Sequence, residues 1–294
     1  MICSEMNILF QNALSRVVKF LCWLAKVTMV LTQRSKWMYA IAGSGVVLGI
    51  FNYFQPEKTA VKNSWTTNFE PSVKWNHNWD NREASAGDKE RLKDSDSKAP
   101  IAKRHIFMIR HGQYNMKAKS DAERKLTELG RKQAELVGQR LKDLKFNYTK
   151  MIRSTMTRAI ETSDIIHKCF PKLPIESCDL LREGAPIQPD PPSNNWKFDD
   201  EQYRKDGERI EKAFKTHFHR ADVNQESDSY EIMVCHANVI RYFICRLLQF
   251  PPEAWLRFQL HHCSITWVVI MPSGRVGVYG IGDSGFFDYD HMTG

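Results

Sequence analysis

The sequence predicts an α/β fold, a mostly parallel sheet sandwiched by helices, and three observations predict it. Residues 104–113 read Arg-His-Ile-Phe-Met-Ile-Arg-His-Gly-Gln, an apolar run from Ile106 to Ile109 cut off by Arg110-His111-Gly112. A short β-branched and aromatic run ended by glycine is the pattern of a buried strand entering a tight loop. Residues 230–236 repeat the design, ending in Cys235-His236 and followed by Ala237. The stretch after it places Val239, Ile240, Phe243, Ile244, Leu247 and Leu248 on one side of an amphipathic helix. In open α/β sheets ligands bind outside the carboxyl ends of the strands, where Arg110, His111 and His236 would sit. Two imidazoles beside an arginine describe a phosphate pocket containing a nucleophile. Gly112, lacking a Cβ, lets the backbone turn sharply beside such a ligand.

The remaining elements fit this frame. Thr127 is placed to cap a helix reaching about Leu144, with Ala134, Val137, Leu141 and Leu144 on its apolar face. A strand over residues 150–153 leads through Ser154 and Thr155 into a helix whose first turn holds Arg158. That cation adds to the positive end of the helix dipole and attracts anions. Glu183 lies on a loop that runs on into the proline-rich 184–192 stretch. A helix over residues 200–219, with Ile210, Ala213, Phe214 and Phe218 inward, reads as packing. His217 and His219 on it have poor geometry for a metal, and the adjacent His261 and His262 read as surface or core residues. Residues 264–271 and 275–279 flank Pro272-Ser273-Gly274 and predict a β-hairpin. No chemistry is assigned to the segment from Asp283 onward.

Composition bounds the function. The net charge of +8 and pI near 9.1 are compatible with anionic partners, but no basic stripe interleaved with aromatics and no nucleic-acid-binding motif is present, so no nucleic acid is expected. Seven cysteines without a Cys-x-x-Cys argue against a disulfide framework and a zinc site. No metal or cofactor is expected.

The amino-terminal third reads differently. Residues 1–36 form a basic amphipathic segment with Arg16, Lys19, Lys26, Arg34 and Lys36 among apolar residues, like an organellar targeting sequence. Residues 37–54 carry no charge, and as a helix would span roughly 27 Å, near the thickness of a hydrocarbon core. They are expected to form one transmembrane helix, with Trp37, Tyr39 and Tyr53 at its interfaces and a Gly45-x-x-x-Gly49 contact face. Residues 55–100 are polar and linker-like, punctuated by Trp65, Phe69, Trp75 and Trp79. Residues 101–294 are the catalytic domain.

Arg110-His111-Gly112, residues 154–162 (Ser-Thr-Met-Thr-Arg-Ala-Ile-Glu-Thr), Leu181-Arg182-Glu183-Gly184 and Cys235-His236-Ala237 together resemble the histidine phosphatase, or phosphoglycerate mutase-like, superfamily. The 182–192 loop, residues 249–257 and the tryptophan-rich segment resemble its mitochondrial branch of protein phosphatases. The resemblance implies a metal-independent phosphatase for phosphoserine and phosphothreonine in proteins. In it His111 becomes phosphohistidine, Arg110 and Arg158 bind phosphate with His236, Glu183 is the proton donor and acceptor, and Asn238 is a candidate assistant. It also implies a mitochondrial location, with a single-pass anchor in the outer rather than the inner membrane, cleavage within that anchor, and a stress-activated MAP kinase kinase kinase as one substrate. Residues 75–80, Trp-Asn-His-Asn-Trp-Asp, are similar to an oligomerisation motif Trp-Asp-Pro-Asn-Trp-Asp, so Trp75, Trp79 and Asp80 are expected to join copies of the chain into a dimer or larger assembly. Asn76 and His77 depart from that motif. A small-molecule phosphatase or mutase would use the same pocket, and a membrane scaffold with a weak site is the remaining alternative.

Overall fold

In a computed structural model the described residues are 74–83, 99–193 and 198–294. The targeting segment, the transmembrane helix and most of the linker expected from sequence lie outside them. Among the described residues no helix is long and apolar enough to cross a membrane.

The strand expected around Ile106 runs as β1, Arg104–Arg110. Alternate residues of β1 face opposite cores. Ile106 and Met108 pack with Ile210, Phe214, Val239 and Phe243, while Phe107 and Ile109 pack with Ala134, Val137, Leu141, Ala159 and Ile166. Burial on both faces explains the unbroken apolar run. The first face is covered by α3, Asp200–His217, and α4, Ala237–Leu247. The second is covered by α1, Glu128–Asp143, and α2, Thr157–His167. Helices therefore flank the sheet on both sides.

The sheet is mixed. With β2 as Lys150–Ser154, β3 as Ile175–Cys178, β4 as Ser229–Cys235, β5 as Ile265–Ile270 and β6 as Val276–Asp283, the order is β3-β2-β4-β1-β5-β6. β3, β2, β4 and β1 run parallel, whereas β5 and β6 form the expected hairpin and pair antiparallel on the β1 side. Thr127 caps α1 through a hydrogen bond from the Gly130 amide. Helix α4 is enclosed almost all round, not only along one stripe: Asn238, Arg241, Tyr242 and Cys245 are buried too. Ala254 and Trp255 of the 3-10 turn Pro252–Arg257 cover its Cys245 side.

Residues 74–83 dock on this domain. Trp79 packs against the first core and donates from Nε1 to the Gly274 carbonyl at 2.7 Å. Asp80, with its side chain fully shielded from solvent, accepts from the Arg220 backbone at 2.8 Å and from Arg220 Nη2 at 2.7 Å. Arg220 also reaches Glu83 and the His77 carbonyl. The two departures from the motif leave this docking intact. Asn76 Oδ1 accepts from the Asn78 amide at 3.0 Å, as an aspartate oxygen would, and the Asn76 backbone pairs with the Gln249 amide in both directions. Only the carbonyl of His77 is used by Arg220. Burial opposes charge on Asp80, but the hydrogen bonds from Arg220 outweigh it and hold its pKa below the ordinary 3.8.

Asp80→Ala removes the shielded carboxylate from Arg220 and leaves it with Glu83 and the His77 carbonyl, so it is expected to lower stability by about 2 kcal/mol in denaturant titration. A carboxylate with a depressed folded pKa contributes stability that is complete above its unfolded value and lost as pH falls through the folded one. The difference between wild type and Asp80→Ala is therefore expected to shrink below pH 3.8.

Candidate active site

The site is assembled by parallel pairing. Arg110 at the end of β1 lies opposite Cys235 at the end of β4, so the next residues, His111 and His236, are neighbours at the carboxyl edge of the sheet. Their ring centroids are 5.1 Å apart. β2 ends beside them in Ser154, and α2 begins just beyond with Arg158 in its first turn. His111, Arg158 and His236 are each at most 3% exposed.

His111 is held in one tautomer. Its amide donates to the Cys235 carbonyl at 3.0 Å, and Nδ1 lies 2.9 Å from the Gly112 carbonyl. A carbonyl only accepts, so Nδ1 carries the hydrogen and Nε2 presents a lone pair. Arg158 Nε donates to that lone pair at 3.1 Å. Burial first, then the neighbouring His236, Arg158, Arg110 and His262, push the His111 pKa well below 6.5. The ring is therefore neutral at physiological pH. The backbone around it admits no side chain: a Cβ on Gly112 would stand 2.6 Å from the Gly130 carbonyl oxygen. The Gly112 amide donates to Thr162 Oγ1 at 3.0 Å, and Thr162 in turn donates to the Arg158 carbonyl at 2.6 Å, tying the loop to α2.

The cations are fixed from behind. Arg110 binds the Leu260 carbonyl through Nη1 and His262 Nε2 through Nη2 at 3.1 Å. Burial lowers its pKa to about 10, which leaves it charged near neutrality. Arg158 stacks over Tyr114, 4.7 Å from the ring centroid, and its Nη1 approaches Asp121 at 3.6 Å. His236 Nε2 sits 2.8 Å from Ser154 Oγ; burial, Arg158, Arg209, Arg182 and Arg110 depress its pKa well below 6.5. Arg110 Nε, Arg158 Nη1, His236 Nδ1 and Arg241 Nε are buried nitrogens with no hydrogen-bond partner. Such clustered, unsatisfied polar atoms call for a ligand rich in acceptors.

Glu183 is supplied by a loop that α3 holds. Arg209 binds the Leu180, Arg182 and Glu183 carbonyls, and Asp206 accepts from the Ala185 amide at 3.0 Å. Asn238 Nδ2 donates to the Gly184 carbonyl at 3.2 Å. Burial raises the Glu183 pKa above 4.5 against the opposing pull of Arg158, the Gly184 amide and Arg110. Helix α3 thus does more than pack, as sequence reading had it: it anchors this loop.

The structure brings together Arg110, His111, Arg158, Glu183, His236 and Asn238, and it adds residues that sequence reading missed. His262, read as a surface or core residue, is buried with its ring centroid 5.6 Å from that of His111. The segment after Asp283, given no chemistry, reaches the same place through Thr293. Arg241 and Thr162 lie one helical turn from Asn238 and Arg158, a spacing that could have flagged them. Nothing in the local sequence marks Asp206, Arg209 or Thr293. Trp75, Trp79 and Asp80 belong to the docked 74–83 segment and not to this pocket.

The family model described as histidine phosphatase superfamily (branch 1) matches residues 106–279, a span containing every pocket residue named above except Thr293. The serine/threonine-protein phosphatase PGAM5, mitochondrial, of Rattus norvegicus is 51% identical over 230 residues, 74% of this chain and 80% of that protein. The Drosophila persimilis protein of the same name is 43% identical over 267 residues, 85% of this chain and 92% of its own length. Among solved structures, mycobacterial hydrolase 2 superposes with a TM-score of 0.50 at 17% identity, over 65% of this chain and 95% of that one; at that identity the likeness concerns the fold alone. Pocket and matched sequence agree, and the chain belongs to the histidine phosphatase superfamily.

Proposed function

We propose that this chain hydrolyses phosphoserine and phosphothreonine in proteins through a phosphohistidine on His111. The observation that carries the reading is the neutral His111, its Nε2 lone pair facing Arg158 at 3.1 Å beside buried nitrogens with no partner. A phosphoryl group entering the pocket replaces the Arg158–His111 contact and takes hydrogen bonds from Arg110 Nε, Arg158 Nη1 and His236. Ser154 Oγ, donating to His236 Nε2, leaves the proton on Nδ1 for a phosphoryl oxygen. The transferring group spreads charge over its equatorial oxygens, and fixed cations stabilise that charge. His111 Nε2 forms the N–P bond as the P–O bond to the side chain breaks. Glu183, whose hold on a proton burial strengthens, gives its proton to the leaving alkoxide. The Gly112 carbonyl stabilises Nδ1–H as the ring becomes cationic. Water then attacks phosphorus, Glu183 takes its proton, and inorganic phosphate leaves with the imidazole neutral again.

Protein substrates are supported by the names of the relatives at 51% and 43% identity. The same names support a mitochondrial setting. The uncharged 37–54 stretch supports a single-pass membrane anchor, and its place in the outer mitochondrial membrane rests on family likeness alone. Self-assembly through Trp75, Trp79 and Asp80 rests on the motif likeness alone, since within one chain Trp79 and Asp80 are already engaged with their own domain. A stress-activated MAP kinase kinase kinase as substrate rests on family likeness alone.

Phosphate release from a phosphoserine/phosphothreonine peptide library, run beside phosphoglycerates, tests the reading. Peptide turnover at rates well above those on phosphoglycerates is expected; the reverse order identifies a small-molecule enzyme. Arg158→Ala is expected to lower kcat about a hundredfold or more, and a change under about tenfold would make it surface charge. For the free enzyme, kcat/KM is expected to hold steady as pH falls through 6.5, because His111 stays neutral there. It should decline as pH rises past the elevated pKa of Glu183, above 4.5, and Glu183→Gln should remove that limb along with most of the activity. No group of three potential metal ligands exists among the described residues, and chelator is expected to leave turnover unchanged. Activity lost in chelator and restored by Mg²⁺ would contradict the mechanism.

A further inference from the structure

We infer that Thr293 is a positioning residue for the phosphate pocket, holding the His262 ring by its Nδ1–H so that His262 Nε2 can aim Arg110. The inference deepens the phosphatase reading and rests on it. Three hydrogen bonds settle the proton positions. Arg110 Nη2 lies 3.1 Å from His262 Nε2, and a guanidinium nitrogen can only donate. His262 Nε2 must therefore be the bare acceptor, which puts the ring hydrogen on Nδ1. Nδ1 is 2.9 Å from Thr293 Oγ1, so the threonine oxygen accepts there. Gln133 Nε2 donates to the same oxygen at 2.8 Å and to the His291 carbonyl at 2.7 Å. The other end of that amide, Gln133 Oε1, accepts from the Gln113 amide at 2.9 Å, next to Gly112. The His262 amide completes the circuit by donating to the Thr293 carbonyl at 2.8 Å.

Residues 291–293 thus connect both sides of the nucleophile loop. With Nη1 on the Leu260 carbonyl and Nη2 on His262, Arg110 has Nε left without a protein partner. Its guanidinium plane is set before substrate arrives, which is how a fixed donor acts on a transferring phosphoryl group. The opposite tautomer would point an Nε2–H at an N–H of Arg110. The ring would then rotate or the arginine swing, and the aim of Nε would be lost. Burial and the charge of Arg110 hold the His262 pKa down to about 3, so the ring does not gain a second proton near neutrality.

The test uses the full chain with Thr293→Val, which keeps the shape and removes the acceptor, and Thr293→Ser, which keeps the acceptor. Each is also placed in an Arg110→Ala background. Thr293→Val is expected to lower kcat/KM on a phosphopeptide about fivefold, the weight of one hydrogen bond, with Thr293→Ser within about twofold of wild type. In the Arg110→Ala background Thr293→Val is expected to change the rate less than about twofold, because the group it aims is gone. Imidazole ¹⁵N chemical shifts should show His262 protonated at Nδ1 alone in wild type, with the Nδ1 resonance shifted in Thr293→Val as its hydrogen-bond acceptor is lost. An equal loss with and without Arg110 would reduce Thr293 to general structural support. An unchanged rate in Thr293→Val, or a wild-type His262 protonated at Nε2, would overturn the inference. Absence of phosphopeptide turnover in the wild type would instead contradict the phosphatase reading, and the ¹⁵N spectra would still decide the tautomer.

Discussion

Arg158 donates a hydrogen bond to Nε2 of His111 over 3.1 Å, and that contact can exist only while the imidazole is uncharged. An arginine there draws anions toward the pocket and at the same time keeps a proton off the nitrogen that, in the proposed mechanism, attacks phosphorus. Burial acts in the same direction, since removing the ring from water disfavours its charged form. The consequence runs through the site. The cations proposed to bind phosphate also depress both histidine pKa values, while the carboxyl of Glu183 is shifted up by its own burial. The same small space thus pushes the proton affinity of His111 down and that of Glu183 up, the opposed shifts that a nucleophile and an acid require.

The fold contributes geometry that no single element has. Parallel pairing of β1 with β4 places two loops side by side, and each presents a histidine in the first residue after its strand. α2 brings Arg158 from the other side of β4, across β2. α3 reaches over to hold the loop of Glu183 by its carbonyls through Arg209. The same helix contributes Phe214 to the surface on which Trp79 packs, 5.8 Å between ring centroids. One rigid helix therefore touches both the proton donor's loop and the docked 74–83 segment.

Much of this was legible in the chain. Strand-end Arg-His-Gly and Cys-His-Ala motifs announce themselves because an apolar run stops abruptly at polar residues. The cap at Thr127 and the hairpin at Pro272-Ser273-Gly274 follow from local chemistry. What could not be read depends on distance along the chain. His262 looked like an ordinary core residue because its partners, Arg110 and Thr293, are remote from it in sequence. Arg241 appeared as one polar residue on an amphipathic helix, whereas α4 is enclosed almost all round and its Asn238 and Arg241 lie at the pocket. Asp80 was expected from its motif to join copies of the chain, and only the fold shows it paired with Arg220 of its own domain. At Asn76 and His77, which depart from the motif, docking within the chain uses a side-chain amide oxygen and a backbone carbonyl.

The central claim is that His111 Nε2 is the atom that receives phosphorus. Rapid-quench trapping with ³²P-labelled phosphopeptide, followed by site mapping, tests it most directly. The account predicts transient label that is stable in alkali, labile in acid and confined to Nε2 of His111, with none on His236 or His262 and none in His111→Ala. Label on a serine, cysteine or aspartate, or single-turnover phosphate release in His111→Ala at the wild-type rate, would contradict it.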